Sequence, residues 1–218
     1  MKSMNGARKW WIGTCLSVLL GVTLIRPGWA GAPTDQLKGS VDQVIRLLDD
    51  PRLKSASMEQ ERRAAIRKEA DAIFDFAESA KRALGPHWQH LSDENRQEFV
   101  SLYADLLQRA YISKIERYSG EKITYAGESA DADLVTVKTR FLAKQGTEIP
   151  VDYRMRRHGD RWLVYDVFVE GVSLIANYRT QFNKIIQTAS YAELVRKMKA
   201  AELRAPADSQ PRDKAPRS

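Results

Sequence analysis

The sequence predicts a single α+β domain, in which a curved antiparallel sheet of about four strands packs against helices from both ends of the chain. Three observations predict it. Apolar residues recur every three or four positions through the first half, alternate from about residue 121 to 169, and return to helical spacing afterwards. The turns between the alternating segments are too short for crossovers, so neighbouring strands run antiparallel. Helices, a meander, then helices again put the helices against one face of the sheet.

Leu37, Val41, Val44 and Leu48 form one face of a first helix, which ends at Asp49-Asp50-Pro51. Ser57-Met58-Glu59-Gln60 has capping-box form and predicts the start of a second. That helix carries Ile66, Ala70, Ile73 and Phe74 on one side. A short helix over 77–84 stops at Gly85-Pro86, and Ser92 caps the longest one. Its stripe is Phe99, Leu102, Tyr103, Leu106, Ala110 and Tyr111, and it ends by Gly120.

Residues 121–126, 133–143, 148–158 and 161–169 read as strands, with turns at 127–130, 144–147 and Gly159-Asp160. Val135, Val137 and Phe141 point inward from the second strand, and Ile149, Val151, Tyr153 and Met155 from the third. The fourth strand is apolar on both sides, which predicts a central position. Next comes a helix carrying Leu174, Ile175, Tyr178, Phe182 and Ile185, and then one capped by Ser190 with Glu193.

The ends of the chain read differently. Lys2, Arg8 and Lys9 precede an apolar run over 11–25, and Gly28-Trp29-Ala30 supplies small residues for cleavage. This is signal-peptide form with cleavage near Ala30, and about 15 apolar residues fall short of a membrane span. Cys15, the single cysteine, lies inside that run after Ile12-Gly13-Thr14, which is not a Leu-led lipidation motif. A cleaved chain therefore has no disulfide, no thiol nucleophile and no cysteine metal ligand. Removing Lys2, Arg8, Lys9 and Arg26 leaves 31 basic against 28 acidic residues, no signature of a nucleic-acid partner. Residues 31–204 then form one domain. The tail 205–218, rich in Pro, Ala and charge, is expected to be disordered.

Little in the mature sequence announces catalysis. His87 and His90 flank Trp88 without a third ligand nearby, so no metal is expected there, and His158 sits at a turn. Asp166 and Glu170 share a strand face but stand about 13 Å apart, too far for a cooperating acid–base pair. A hydrogen bond or an arginine holding Asp166 is the simpler expectation, with Glu170 shaping the corner beside Gly171. Neither a Gly-rich phosphate loop nor a nucleophile elbow is present. Lys138 and Arg140 take outward positions on the second strand, and Arg154 and Arg156 on the third. Paired as a hairpin, the strands would gather four cations on one face, a surface for lipid headgroups or an acidic partner.

The densest signal is the segment from Tyr165-Asp166 through Glu170-Gly171-Val172-Ser173 to Tyr178-Arg179 and Phe182. It resembles the MlaC, or toluene-tolerance, family of periplasmic phospholipid carriers, and the resemblance covers most of the mature chain. It implies an NTF2-like cone with an internal apolar cavity, no enzymatic activity and no cofactor. Tyr165, Asp166, Glu170, Gly171 and Ser173 would then be a structural signature. The stripes supply candidates for the cavity wall: Phe74, Phe99, Tyr103, Leu106, Tyr111, Val137, Phe141, Val151, Tyr153, Val167, Val169, Val172, Ile175, Tyr178 and Phe182. A packed core has the same period, so the pattern alone does not separate the two. Glycerophospholipid is the implied ligand. The implied partners are an outer-membrane lipoprotein complex and an inner-membrane ABC transporter. A hopanoid or other polycyclic lipid, or an enzyme on the same scaffold using Asp166, is the competing reading.

Overall fold

The computed structural model describes residues 32–142 and 146–203; the signal-peptide and tail expectations fall outside them. Helix α1 (Ala32–Asp49) gives way to two 3-10 turns, then α2 (Glu59–Ile73), α3 (Phe76–Leu84) and α4 (Asp93–Ile115). A meander follows: β1 (Lys122–Asp131), β2 (Leu134–Leu142), β3 (Glu148–His158), β4 (Arg161–Val169) and the two-residue β5 (Val172–Ser173). Helices α5 (Leu174–Thr188) and α6 (Tyr191–Lys199) close the described chain. The sheet is antiparallel throughout, in the order β1-β2-β3-β4-β5. The architecture is thus α+β, with a five-stranded curved sheet.

Side chains act as caps at several predicted starts. Ser92 accepts from the Asn95 N–H, Ser190 from the Glu193 N–H, and Asp75 from the Glu78 N–H. The predicted capping box is not formed. Met58 occupies the N-cap of α2, while Ser57 lies in a 3-10 turn with its hydroxyl 2.9 Å from that of Ser55.

Two further departures have local causes. The predicted turn at 127–130 is strand: β1 passes Gly127 with a register shift between Tyr125 and Gly127, and reverses later at Ala132-Asp133. Glycine at φ +112° serves a β-bulge here, and composition alone reads a bulge as a turn. β4 is next to the sheet's edge rather than central. Its apolar character on both sides comes from a bulge, because Arg154 faces Asp166 while Met155 faces Val164, leaving Tyr165 unpaired. Val164 enters one core and Tyr165 the other.

The outer edge of β4 is covered by the corner between α2 and α3. Phe74 bridges Val164, the Asp75 N–H donates to the Val164 carbonyl at 2.8 Å, and the Ser79 hydroxyl donates to the Tyr165 carbonyl at 2.6 Å. Capping this edge removes backbone groups that would invite another strand. On α1, the Gln36 amide engages both the N–H and the carbonyl of Trp162, fastening the helix across the sheet.

Packing divides into two cores. The helical one gathers Leu84, Phe99, Tyr103, Tyr178, Phe182, Leu194 and Met198 from α3 to α6. Edge-on rings interlock it, with Phe99–Phe182 and Tyr103–Tyr178 centroids both 5.7 Å apart. The other core lies at one end of the sheet, where Leu37, Ile73, Val135, Val137, Met155, Trp162 and Val164 fill the space under α1 and α2.

Candidate functional site

Beyond that filled end, α1, α2, the last turns of α4 and the concave face of the sheet stand apart around a partly open cavity of about 570 Å³. The helical wall is the α1 stripe of Leu37, Val41, Val44 and Leu48, joined by Ile66, Ala70 and Ile73 of α2. Facing it on the sheet are Ile123, Phe141, Ile149, Val151, Tyr153 and Val169. Register explains the continuity: Phe141 pairs with Ile149, and Val151 with both Thr139 and Val169, so one pleat face is apolar except at Thr139. Thr139, an inward polar residue, donates its hydroxyl to the Val151 carbonyl at 2.6 Å.

The polar or charged wall residues, tyrosines aside, are Ser40, Glu69, Lys114, Arg117 and Glu121. Burial raises the Tyr153 phenol well above its ordinary value, so it stays neutral. Leu48, Ile123, Phe141, Ile149 and Val169 lie at the ends of their elements away from the filled core, and with Arg117 and Glu121 of the α4–β1 connection they form the rim. A size of this order is typical of small-ligand sites.

The rim is held by a partly buried ion cluster. Glu116 accepts from Arg62 at 3.0 Å and from Arg63 at 2.9 Å, and Arg62 also donates to the Leu53 carbonyl at 2.7 Å. Burial alone would raise the Glu116 carboxyl, but the two guanidiniums outweigh it and hold it below its ordinary value. The cluster joins the start of α2 to the end of α4.

The structure brings six of the fifteen wall candidates to the cavity: Phe74, Tyr111, Phe141, Val151, Tyr153 and Val169. It places Phe99, Tyr103, Leu106, Ile175, Tyr178 and Phe182 in the close-packed helical core, because only the last turns of α4 reach the sheet's open end. Val137 and Val167 belong to the filled sheet core. Val172 is opposite the wall residue Val169 on β5 and is 55% exposed. The residues that the sequence reading left out, Val41, Val44, Leu48 and Ile66 among them, come from stripes recognised as helix faces. Nothing in a stripe says whether it faces a core or a void.

The signature segment is a capping device. The Asp166 carboxylate, only 6% exposed, accepts from the Ser173 hydroxyl at 2.7 Å and the Ile175 N–H at 3.2 Å. Ser173 in turn accepts from the Ala176 N–H at 3.0 Å, so two side chains hold the start of α5. Asp166 is not on the cavity wall. Glu170 at φ +51° and Gly171 at φ +80° are the two-residue loop between Val169 and Val172, a type I′ reversal rather than a direct strand-to-helix corner. The Arg82 guanidinium lies 4.4 Å from the centre of the Tyr165 ring.

Lys138, Arg140, Arg154 and Arg156 do share the outward sheet face, but acids and a ring interleave them. Lys138 is opposite Asp152, Arg140 is 3.6 Å from Glu148, and Arg154 lies over the Phe168 ring at 4.4 Å. Arg156 ties the sheet to α3 through Glu78 at 3.2 Å and Asp75 at 3.5 Å. His87 Nε2 is 2.9 Å from Asn183 Oδ1. Among the described residues, no three His, Cys, Asp or Glu side chains are grouped to hold a metal.

This arrangement meets known proteins in one place. The family model described as MlaC protein matches residues 38–200, which takes in the cavity walls apart from Leu37, the sheet and both C-terminal helices. The chain belongs to the MlaC family. It is 22% identical over 141 residues to the intermembrane phospholipid transport system binding protein MlaC of Haemophilus influenzae. That match spans 62% of this chain and 66% of the relative, just under two thirds of its length. Its fold is shared with the phospholipid-binding protein of Ralstonia solanacearum, solved in complex with a phospholipid. The TM-score is 0.68 at 23% identity, over 77% of this chain and 95% of that one. Both relatives are described as lipid-binding or lipid-transport proteins, not as enzymes. Within the MlaC family frame, the Asp166–Ser173 pair of this chain is a helix cap.

Proposed function

We propose that this protein is a periplasmic carrier that holds a glycerophospholipid in the cavity, with tails inside and headgroup at the rim. The observation that carries the reading is a cavity of about 570 Å³ among the described residues, walled almost wholly by apolar side chains. Removing a lipid tail from water is worth about 0.8 kcal/mol per methylene, hence on the order of 25 kcal/mol for the roughly 30 methylenes of two chains. A carrier crossing water must recover most of that, so the tails need a deep apolar cavity, and this one offers an apolar wall from both helices and sheet. Cargo then moves between cavity and bilayer at little net cost, and direction is supplied by the membrane partners. Those partners are an outer-membrane lipoprotein complex and an inner-membrane ABC transporter, reached after cleavage of the leader near Ala30.

Native mass spectrometry of the protein recovered from a bacterial periplasm without detergent, with lipid extraction alongside, tests the binding step. Stoichiometric phospholipid is expected, and its mass names the headgroup and acyl chains. A polycyclic lipid in its place would redirect the reading to the competing cargo. An apo mass that survives incubation with liposomes would end it.

The outward cations are part of the same proposal, as the face offered to an acidic partner. Arg156 is committed to Glu78 and Asp75, so Lys138→Glu with Arg154→Glu is the variant of choice. Its lipid content is expected to match the parent while transfer to acceptor complexes slows severalfold. Equal transfer rates would remove this face from the proposal.

A further inference from the structure

Helix α1 is fastened firmly over its first half only. There, Pro33 and Leu37 are buried, the Gln36 amide engages both backbone groups of Trp162, and the Thr34 hydroxyl donates to Glu128 at 2.6 Å. The second half holds none of the buried residues of the helix. Among the described residues, the side chains of 39–49 make hydrogen bonds and ion pairs only within α1, apart from Asp49 with Lys54 at 3.7 Å. Both members of that pair are more than half exposed, so it contributes little. The Tyr125 hydroxyl, buried beside the cluster that includes Leu37 and Val41, adds no hydrogen bond to the helix.

Gly39-Ser40 stands between the two halves, in the interior of the helix. Glycine weakens a helix interior relative to alanine, and kinks concentrate at Gly/Ser pairs. No contact requires glycine here: the position is exposed, and a Cβ at Gly39 would meet nothing within 4 Å. Beyond it, Val44, Ile45 and Leu48 face the cavity rather than a filled core. Lifting them therefore gives up fewer close contacts than lifting a core helix would. The chain is fastened again at Leu53, whose carbonyl accepts from Arg62 at 2.7 Å, so any swing is bounded.

We propose that the second half of α1 is a side wall hinged at Gly39-Ser40, ajar when the cavity is empty and closed by an apolar occupant. An occupant gives Val44, Ile45 and Leu48 contacts that an empty cavity lacks, so occupancy and closure favour each other. A wall that opens also admits cargo from the side, without threading it through the rim. The use of the hinge by lipid rests on the carrier reading, whereas the hinge itself does not. The competing role of Gly39 is a neutral position on a solvent-facing surface. Replacing it there would alter helix stability and leave the position of the second half unchanged.

The test measures distances between paired spin labels in the protein recovered from the periplasm and stripped of lipid. Residues 31–218 contain no cysteine, so introduced pairs are labelled specifically. Lys38→Cys with Lys138→Cys reports the fastened half, and Arg46→Cys with Lys138→Cys the hinged half; all three positions are exposed. The Lys38 pair is expected to give one distance and the Arg46 pair two, separated by on the order of 5 Å. Arg46 lies about 10 Å along the axis from Gly39, and a kink of about 30° displaces it by that much. Gly39→Ala is expected to cut the displaced population about fivefold. Loading from vesicles of phosphatidylethanolamine and phosphatidylglycerol is expected to remove it. One distance for both pairs in the stripped protein, or two for both, overturns the hinge. So does a displaced population that Gly39→Ala leaves unchanged. A displaced population that persists when lipid is bound by mass overturns closure by an occupant. Vesicles that leave the protein empty by mass end the carrier reading, and the stripped parent and Gly39→Ala still decide the hinge.

Discussion

Filling the cavity with Ala70→Trp and Val151→Trp together is expected to abolish lipid loading while leaving the protein folded. Ala70 lines the cavity from α2 and Val151 from β3, so two indoles would grow into the same void from the helical and sheet walls. In a packed core such enlargement is destabilising by about 1–3 kcal/mol, because neighbours are forced off their rotamers. Here the new atoms enter empty apolar space and gain contacts that the parent lacks, so the melting temperature is expected to stay level or rise. Bound lipid per protein, measured by mass spectrometry after periplasmic purification, is expected to fall at least tenfold. A variant that still carries stoichiometric lipid would place the cargo outside this cavity. A variant that unfolds would show the void to be an already filled core. Val137→Trp serves as the control: Val137 is fully buried in the filled end of the sheet, and the same enlargement there is expected to destabilise.

Most of the fold is legible in the sequence because each element carries its own period. The α1 stripe, the Ser92 and Ser190 caps and the alternation through β2 and β3 are local signals, and the tertiary structure does not override them. What was not legible is assignment between environments of equal polarity. The long stripe of α4 is one pattern with two destinations: Phe99, Tyr103 and Leu106 meet α5 and α6, whereas Tyr111 and Ile115 meet the cavity. The change is imposed by where the sheet ends, which no spacing within α4 encodes. β4 makes the same point in a strand. Its apolar residues on both sides suggested burial in mid-sheet, yet a bulge at Tyr165 delivers them to two cores from a near-edge position. Gly127 suits a bulge and a turn equally, so only pairing partners distinguish them.

Asp166→Ala is expected to lower stability by about 2–4 kcal/mol, the range for breaking a buried hydrogen-bonded network that also caps a helix. The Ile175 N–H and the Ser173 hydroxyl would both lose their acceptor, and Ser173 would lose the partner that orients it toward the Ala176 N–H. For a domain of this size the melting temperature drops by roughly 5–15 °C. Helix α5 carries Tyr178 and Phe182 into the helical core, so a frayed start loosens packing well beyond the cap. The loss also has a characteristic pH dependence. Burial raises the Asp166 carboxyl above its ordinary value of 3.8, against the opposing effect of Ser173, the two backbone N–H groups of Ile175 and Val167, and Arg154. A carboxyl with a raised native value holds its proton longer in the folded than in the unfolded chain. Its contribution is therefore complete below the unfolded value and declines as pH rises through the native one. The parent-minus-variant difference in unfolding free energy should be largest near pH 3 to 4 and smaller at neutral pH, opposite to a salt-bridged acid such as Glu116. Urea denaturation of parent and Asp166→Ala at several pH values reads this directly. A difference that grows with pH would mean the carboxylate form is favoured in the folded protein, and that its hydrogen bonds outweigh burial.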